Sequence, residues 1–555
     1  MAMERGVFDD TRFDHRFFQK WELTLNILTD PWIPILRQSG VREKIAFSGL
    51  TSNYLLDPVV ELQSPRADFQ NALYQLFIGI LQVVMTPEND KGWIKQWENP
   101  PDPDGLLRST KAYTSCFVLD GEGPAFMQDL DLREGEEKGI SGLLIEAPGG
   151  KTVRENLDHF VKRDLVNQVD GYWAGVALYT LQTFAPAGGV GHRVGLRGGG
   201  PLTSLVRPEP PEGRLFSTLW EKLWINILPR MEFAGLGCDP EKQGLQDIFP
   251  WMGATRTSDA KGGETQPFHC HPFQAYFGMP RRIRLRFTNE KGSCDLSGEK
   301  SSNLVSAYIT KNYGTNYAGP WKHPLNAYGR PKKPDEPALS VKGQPGGVSY
   351  KHWLDLALLS DTKEAALIVR HANRNSAKRE MLRDREIRIW AAGYDMDNMK
   401  ARCWYEATMP LFSLPEEESN TFQKRAANLI NMASEVAFSI RRSVKSAWYA
   451  NPAEAPGEPD FLDKPFWEKT ENYFYDLLKQ FSRDSGLDSA IEIYAKWHVF
   501  LINHSLQIFD QNVLGVPPLG SVDGGLEWKR IIKARNALVG YLTGEKFRKK
   551  FLLSA

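Results

Sequence analysis

Between Gly188 and Gly200, thirteen positions hold seven glycines, with His192, Arg193 and Arg197 set among them. Ala185-Pro186 precedes the run and Pro201 closes it. Glycine has no Cβ, so its main chain can come within hydrogen-bonding distance of a partner. Interleaved arginine and histidine make a phosphate-rich partner the natural one. The competing use is a set of tight turns between strands, which glycine serves equally well. Basic density recurs farther on. Arg281, Arg282, Arg284 and Arg286 follow a strand pattern that puts three of them on one face. Arg370 to Trp390 carries seven basic residues against three acidic ones, and Glu527 to Phe551 eight against two. One such run is usually a solvated face. Several in one chain describe a dipolar surface suited to a nucleic-acid groove.

Other clusters carry less. Gly149-Gly150-Lys151-Thr152 looks like the tail of a phosphate-binding loop, but Ile145 stands where that motif needs glycine, and Pro148 lacks an N–H. The segment reads better as a basic loop in which Lys151, Arg154, Lys162 and Arg163 surround Phe160. That mixture suits a single-stranded backbone with one stacked base, and equally a solvated loop with one buried ring. His269-Cys270-His271 offers three metal-ligand types, yet neighbouring side chains point apart and no companion pair lies at zinc spacing. In a strand the two histidines would share a face. No Ser/His/Asp or Cys/His set and no carboxylate pair stands out as catalytic machinery.

These residues need a large scaffold, and the chain supplies one. Its 555 residues carry 68 Lys+Arg against 68 Asp+Glu, which excludes a uniformly basic nucleic-acid coat and an acidic disordered chain. Five scattered cysteines without a C-x-x-C pair are no disulfide framework. Met1 to Lys20 holds three aspartates and no apolar core, unlike a signal peptide. The longest nearly apolar run, Leu76 to Met85, is too short to span a bilayer. The expectation is a soluble cytoplasmic protein.

The first ~410 residues mix β-rich runs (Trp21 to Leu28, Arg282 to Phe287, Ile387 to Trp390) with helical stretches (Phe69 to Val84, Leu215 to Leu228), without repeats or βαβ alternation. The last quarter shows four helical patterns: about Thr421 to Tyr449, Pro465 to Phe481, a third to Val513 opened by the capping-box pattern Ser489 to Glu492, and Glu527 to Phe551. The fold class is therefore α+β. A large irregular mixed α/β domain (1–412) is followed by a C-terminal four-helix bundle (413–555).

Four stretches then match, in order, a known family. Asn26-Ile-Leu-Thr-Asp-Pro-Trp-Ile-Pro34, Ala185-Pro186 through Gly195-Leu-Arg-Gly-Gly-Gly-Pro201, Trp321-Lys-His-Pro324 and Gly393-Tyr-Asp-Met-Asp-Asn-Met-Lys400 resemble the CasA family. That family is the large subunit of the type I-E CRISPR surveillance complex Cascade. The resemblance implies a non-catalytic subunit without cofactor that reads the protospacer-adjacent motif (PAM) in double-stranded target DNA and starts strand separation. Its implied partners are other Cascade subunits, the CRISPR guide RNA and a helicase–nuclease effector, with no membrane. By position, the family's glycine loop falls on Ala187, Gly188, Gly189, Val190 and Gly191, with Ala187 and Val190 departing from its familiar glycines. Main-chain contacts there suit the degenerate edges of a minor groove. Its lysine finger falls on Lys311, with Asn312 as the adjacent alternative. Its wedge falls on Asn398 at a hairpin tip, flanked by Met396 and Met399, where unstacking costs a few kcal/mol per base step. Lys151, Arg154, Phe160, Lys162 and Arg163 fall where the family meets the guide-RNA 5′ handle. Some members hold a cysteine-bound zinc; only Cys294 lies nearby here, so none is expected. Two other readings compete: a metal-dependent nuclease or hydrolase using His269, His271 or His192, and a scaffold that binds only protein through the bundle.

Overall fold

The computed structural model describes residues 24–147, 154–155, 165–288, 290–331, 333, 336–358, 363–374, 376–382, 384–397, 400–412, 414, 416–484, 486–514 and 524–552. Lys151, Phe160, Lys162, Arg163, Asn398 and Met399, with the Gly149-to-Thr152 motif, lie outside them. Among the described residues no helix is long and apolar enough to cross a membrane.

The first part is built on the helix Ala67–Val84, whose residues from Phe69 to Gln82 are nearly all buried. A helix that is apolar all round must lie inside a core. It packs on the helix Gly171–Phe184 and on the turn Pro272–Phe277. Three antiparallel sheets surround this pair. One orders Arg42–Ile45, Ile33–Arg37 and Val59–Leu62. A second centres on Leu304–Lys311, which pairs along its length with Arg282–Thr288 and also with Glu136–Gly139 and Val169–Asp170. The third joins Thr203–Pro208 to the long hairpin strands Ile387–Asp397 and Lys400–Leu411.

The C-terminal helices are Glu416–Trp448, Asp463–Phe481, Leu487–Val513 and Gly524–Thr543, followed by the short Glu545–Phe551. The first contacts the other three long helices, and each buries one apolar stripe. Tyr350, arriving from the first part, is fully buried among Trp467, Phe474 and Trp497, and its hydroxyl lies 2.8 Å from Thr470 Oγ1.

Several local expectations fail, each for an identifiable reason. Residues 24–28 form no strand beyond a bridge from Asn26 to Val118. The Asn26 side chain accepts from the Leu28 N–H at 2.9 Å, and Asp30 accepts from the Asn26 N–H at 2.7 Å, closing a turn. Leu215 to Leu228 shrinks to the helix Leu219–Trp224. Thr218 and Glu221 cap its start reciprocally, and Asn226 diverts to the Val206 main chain after its end. Ser489 does not open the third bundle helix, which begins at Leu487 with Gly486 as N-cap. The last pattern is two helices, interrupted at Gly544 in an extended conformation.

The charge runs divide: several arginines are used inside the fold, whereas Lys529, Lys533, Lys546, Arg548, Lys549 and Lys550 of the last run are exposed. Arg284 is buried and donates to the carbonyls of Gly121 and Gly123, while Arg282 pairs with Asp129 at 2.6 Å. Arg385 bonds Glu221 and Ser217, Arg370 pairs with Glu364, and Arg535 clamps Asp510 through two hydrogen bonds. The arginine alternation between 281 and 286 therefore does not form a free cationic face. Lys378 is 1% exposed, with its ammonium 3.9 Å from the Trp93 ring centre, and burial pulls its pKa down to about 7. The unfolded chain keeps that proton to about pH 10.4. Between pH 7 and 10 the unfolded state thus binds more protons, and the penalty this site places on folding shrinks as pH rises. Lys378→Met is expected to flatten that dependence, read from melting temperatures at pH 7 and pH 9.

Candidate nucleic-acid interface

The helix Gly171–Phe184 ends at Ala185, and Pro186 turns the chain into the loop Ala187 to Gly191. Ala187, Gly188, Gly189 and Val190 are all exposed, Val190 at 75%. The loop is held at both ends rather than along its length. At its start, Arg281 Nη2 donates to the Pro186 carbonyl at 2.5 Å. At its end, the Tyr313 N–H donates to the Gly191 carbonyl at 2.8 Å, and Asn312 Nδ2 donates to the Val190 carbonyl at 2.9 Å.

Gly191 has φ +76°, and a Cβ there would sit 2.8 Å from Asn312 Cβ and 3.0 Å from the Tyr313 nitrogen. Only glycine allows this close crossing. The crossing brings the loop against the end of the strand Leu304–Lys311. Lys311 is exposed there, whereas the Asn312 amide is spent on the loop.

The rest of the glycine run is architecture. Arg193 donates to Ser258 through Nε at 2.8 Å. Arg197, expected to face phosphate, is 5% exposed. Its guanidinium donates to Gln75, Thr203 and Asn326, and burial lowers its pKa to about 10, still protonated at neutral pH. Gly200, at φ +64°, admits Met396: a Cβ there would lie 2.3 Å from Met396 Cγ. The run therefore divides. Residues 187–190 are presented outward, and residues 195–200 seat the run against the core and the long hairpin.

Met396 lies at the end of the hairpin's first strand, where Asp397 pairs with Lys400 across Asn398 and Met399. Tyr394, two residues before Met396, is buried and packs edge-on to Phe184 and Trp404. Its hydroxyl donates to Asp68 and lies 3.4 Å from Glu146. Arg66 completes the cluster, pairing with Asp68 at 2.9 Å and Glu146 at 2.7 Å. One buried network thus joins the hairpin to Glu146, just ahead of the basic segment 151–163. Arg154 is exposed, and it is the only one of that segment's five candidate residues that is described.

The histidine cluster is not a strand. His269 ends the single turn Pro267–His269 and accepts from the Gln266 N–H through Nδ1; His271 Nδ1 accepts from the Phe273 N–H. Proline at 267 and 272 fixes both turns. Burial pushes the Cys270 thiol up to about 12 and the His271 imidazole down to about 4. One ring nitrogen of each histidine is already committed to main chain, and the thiol stays protonated. The described residues contain no group of three His, Cys, Asp or Glu arranged to hold a metal ion.

Sequence reading gave Lys311 and the loop as separate candidates; the structure adds two side chains that tether the loop, Asn312 and Arg281, and one that seats the hairpin, Tyr394. In the sequence Asn312 stands only as the alternative finger, Arg281 only as part of an arginine run and Tyr394 only as part of a family motif. Their roles come from contacts across 95 or more residues of sequence.

Comparison with known proteins bears on the architecture as a whole. The architecture is similar to Thermobifida fusca Cse1 (TM-score 0.67, 16% identity, covering 96% of this chain and 99% of that one). It is similar also to Thermus thermophilus CasA (0.65, 17%, 93% and 99%). A chain of a CRISPR RNA-guided surveillance complex matches with TM-score 0.65 and 15% identity over 93% of this chain and 99% of its own. At such identities these likenesses establish the fold. The family model described as CRISPR-associated protein Cse1 matches residues 26–508, so the chain belongs to the Cse1 family.

Proposed function

We propose that this chain is a non-catalytic subunit of an RNA-guided CRISPR surveillance complex in the cytoplasm. It reads the PAM in double-stranded DNA, promotes strand separation and R-loop formation, and helps recruit a helicase–nuclease. The observation that carries this reading is a juxtaposition. An exposed loop of glycine-rich main chain, the exposed Lys311 and the hairpin base at Met396 occupy one side of the same scaffold. Loop main chain and a long cation fit a narrow, electronegative minor groove. Asn398, with Met396 and Met399, supplies the wedge between base pairs. The segment with Lys151, Arg154, Phe160, Lys162 and Arg163 meets the guide-RNA handle, with other Cascade subunits alongside. We take 1–412 as the reading domain and 413–555 as the helical domain that answers it.

Asn398→Ala in the assembled complex is expected to slow R-loop formation about tenfold or more, the equivalent of 1.4 kcal/mol or more of unstacking work. Initial binding to PAM-bearing duplex should change much less. Stopped-flow base-analogue fluorescence reads the first rate, and binding to a duplex that cannot open reads the second. Equal losses in both would overturn the wedge assignment. The nuclease alternative predicts that the purified chain cleaves DNA with Mg²⁺, Mn²⁺ or Zn²⁺, and that His269→Ala or His271→Ala abolishes cleavage. The scaffold alternative predicts duplex affinity independent of salt.

A further inference from the structure

Beneath the glycine loop lies a cleft of about 160 Å³ that the reading above does not use. Its walls include Lys138, Gly191, His192, Arg281, Tyr308 and Lys311. The charge around it is unbalanced. Glu136 pairs with Lys138 at 3.2 Å, the two sitting on the same strand next to the cleft. Arg281 has no such partner. Its Nη2 holds the Pro186 carbonyl, its Nε is buried without a hydrogen-bond partner, and no carboxylate among the described residues pairs with it. Lys311 adds a further cation at the rim. His192 stays neutral, because burial and the nearby Arg281 both disfavour its charged form.

A guanidinium withdrawn from water without an anion is costly. Arg197 offsets that cost with three neutral acceptors, whereas Arg281 has one acceptor and an unpartnered Nε facing a cleft, and guanidinium geometry suits phosphate oxygens. The position narrows the ligand further. Gly191 and His192 line the cleft, so a duplex whose groove faces residues 187–191 brings its bordering phosphates toward it. Phosphate contacts fix register on a duplex, while groove contacts read it.

We propose that this cleft is a phosphodiester subsite for target DNA, in which Arg281, with Lys138 and Lys311 at its edge, receives one backbone phosphate beside the motif and sets the register of the glycine loop. This rests on the DNA-reading function proposed above. It adds to that reading one anion site, with Arg281 as the residue that both supports the loop and binds the duplex.

The test uses the full chain assembled in its complex. Arg281→Gln removes the charge and keeps an N–H donor for the Pro186 carbonyl; Arg281→Lys restores the charge. Affinity for motif-bearing duplex is measured from 50 to 300 mM salt. Losing one phosphate contact should reduce the slope of log affinity against log salt by about 0.9. Arg281→Gln is expected to show that drop and Arg281→Lys to recover most of it, with the rank order of motif variants unchanged. A scan of single methylphosphonates along both strands locates the contact. One position should weaken parent binding and have no further effect in Arg281→Gln. An unchanged slope, or a scan in which every position keeps its effect, overturns the subsite. Weaker guide-RNA binding with an unchanged DNA slope would give the cleft to RNA and overturn it as well. If the parent itself shows no motif-dependent duplex binding, the function proposed above fails, separately from the cleft.

Discussion

Replacing Lys311 with alanine is expected to weaken the complex's binding to PAM-bearing duplex by about 10- to 100-fold. A hydrogen bond to a charged group contributes about 1.5–3 kcal/mol, and each 1.4 kcal/mol is tenfold in affinity. The structure supports attributing such a loss to the contact itself. Lys311 stands at the end of a strand whose register with Arg282–Thr288 holds through Lys311 and Arg282. Its side chain is exposed, so truncation leaves the core intact. The melting temperature should therefore not move. Lys311→Arg should retain most of the affinity, since the minor groove attracts either cation. Asn312→Ala should behave differently. It frees the Val190 carbonyl, loosens the loop and blurs discrimination among motifs more than it lowers overall affinity. If Lys311→Ala binds every motif as the parent does, the finger assignment fails.

Arg197→Ala is expected to do the reverse. It should cost about 3 kcal/mol or more of stability, since each hydrogen bond to a charged group contributes about 1.5–3 kcal/mol and three neutral acceptors lose theirs. The guanidinium holds Gln75 at 2.6 Å, Asn326 at 2.9 Å and Thr203 at 3.1 Å, and its removal strands these groups in the core. It also lies over the Phe184 ring at 5.8 Å, so the end of the helix that launches the loop loses a neighbour. A fall in melting temperature of several degrees, or insoluble protein, is the expected result. Where folded variant is recovered, its salt slope for duplex should match the parent's, because Arg197 is buried and touches no solvent-facing ligand. A stable Arg197→Ala with a reduced salt slope would return this residue to the interface.

These two residues show why the charge pattern alone misleads. Both are cations near glycines, and a sequence does not distinguish a guanidinium that donates inward from an ammonium that points out. Burial makes the distinction, and burial is a property of the packed chain. The same holds for Arg282, Arg284 and Arg385. Each looked like part of a basic surface, and each satisfies carbonyls or carboxylates inside the fold. The overall charge balance is thus partly an internal matter, with many cations neutralised by neighbours instead of facing a groove.

The motifs that carried the family resemblance prove to be mostly structural. Asn26 and Asp30 close a turn, and Trp32 stacks on Tyr172 with ring centres 5.1 Å apart. His323 accepts from the Leu325 N–H, and Trp321 donates to the Thr265 carbonyl. They are recognisable because turns, caps and buried polar side chains tolerate few residue types.

What the amino-acid order determined by itself was local and compositional. A continuous apolar run marked the buried helix Ala67–Val84, and one-sided apolar stripes, which specify both period and face, marked three of the long C-terminal helices to within a few residues. Glycine density marked the loop. The tertiary structure decided which glycines are presented and which are packed, that Asn312 and Arg281 tether the loop at its two ends, and that Tyr394 joins the hairpin to Glu146. It also decided that Arg281, beside the loop, keeps a buried Nε without an acceptor. Each of these depends on groups far apart in sequence meeting in a low-dielectric interior, where an unpaired donor or charge is expensive. That cost is set by neighbours, and only the folded chain says who they are.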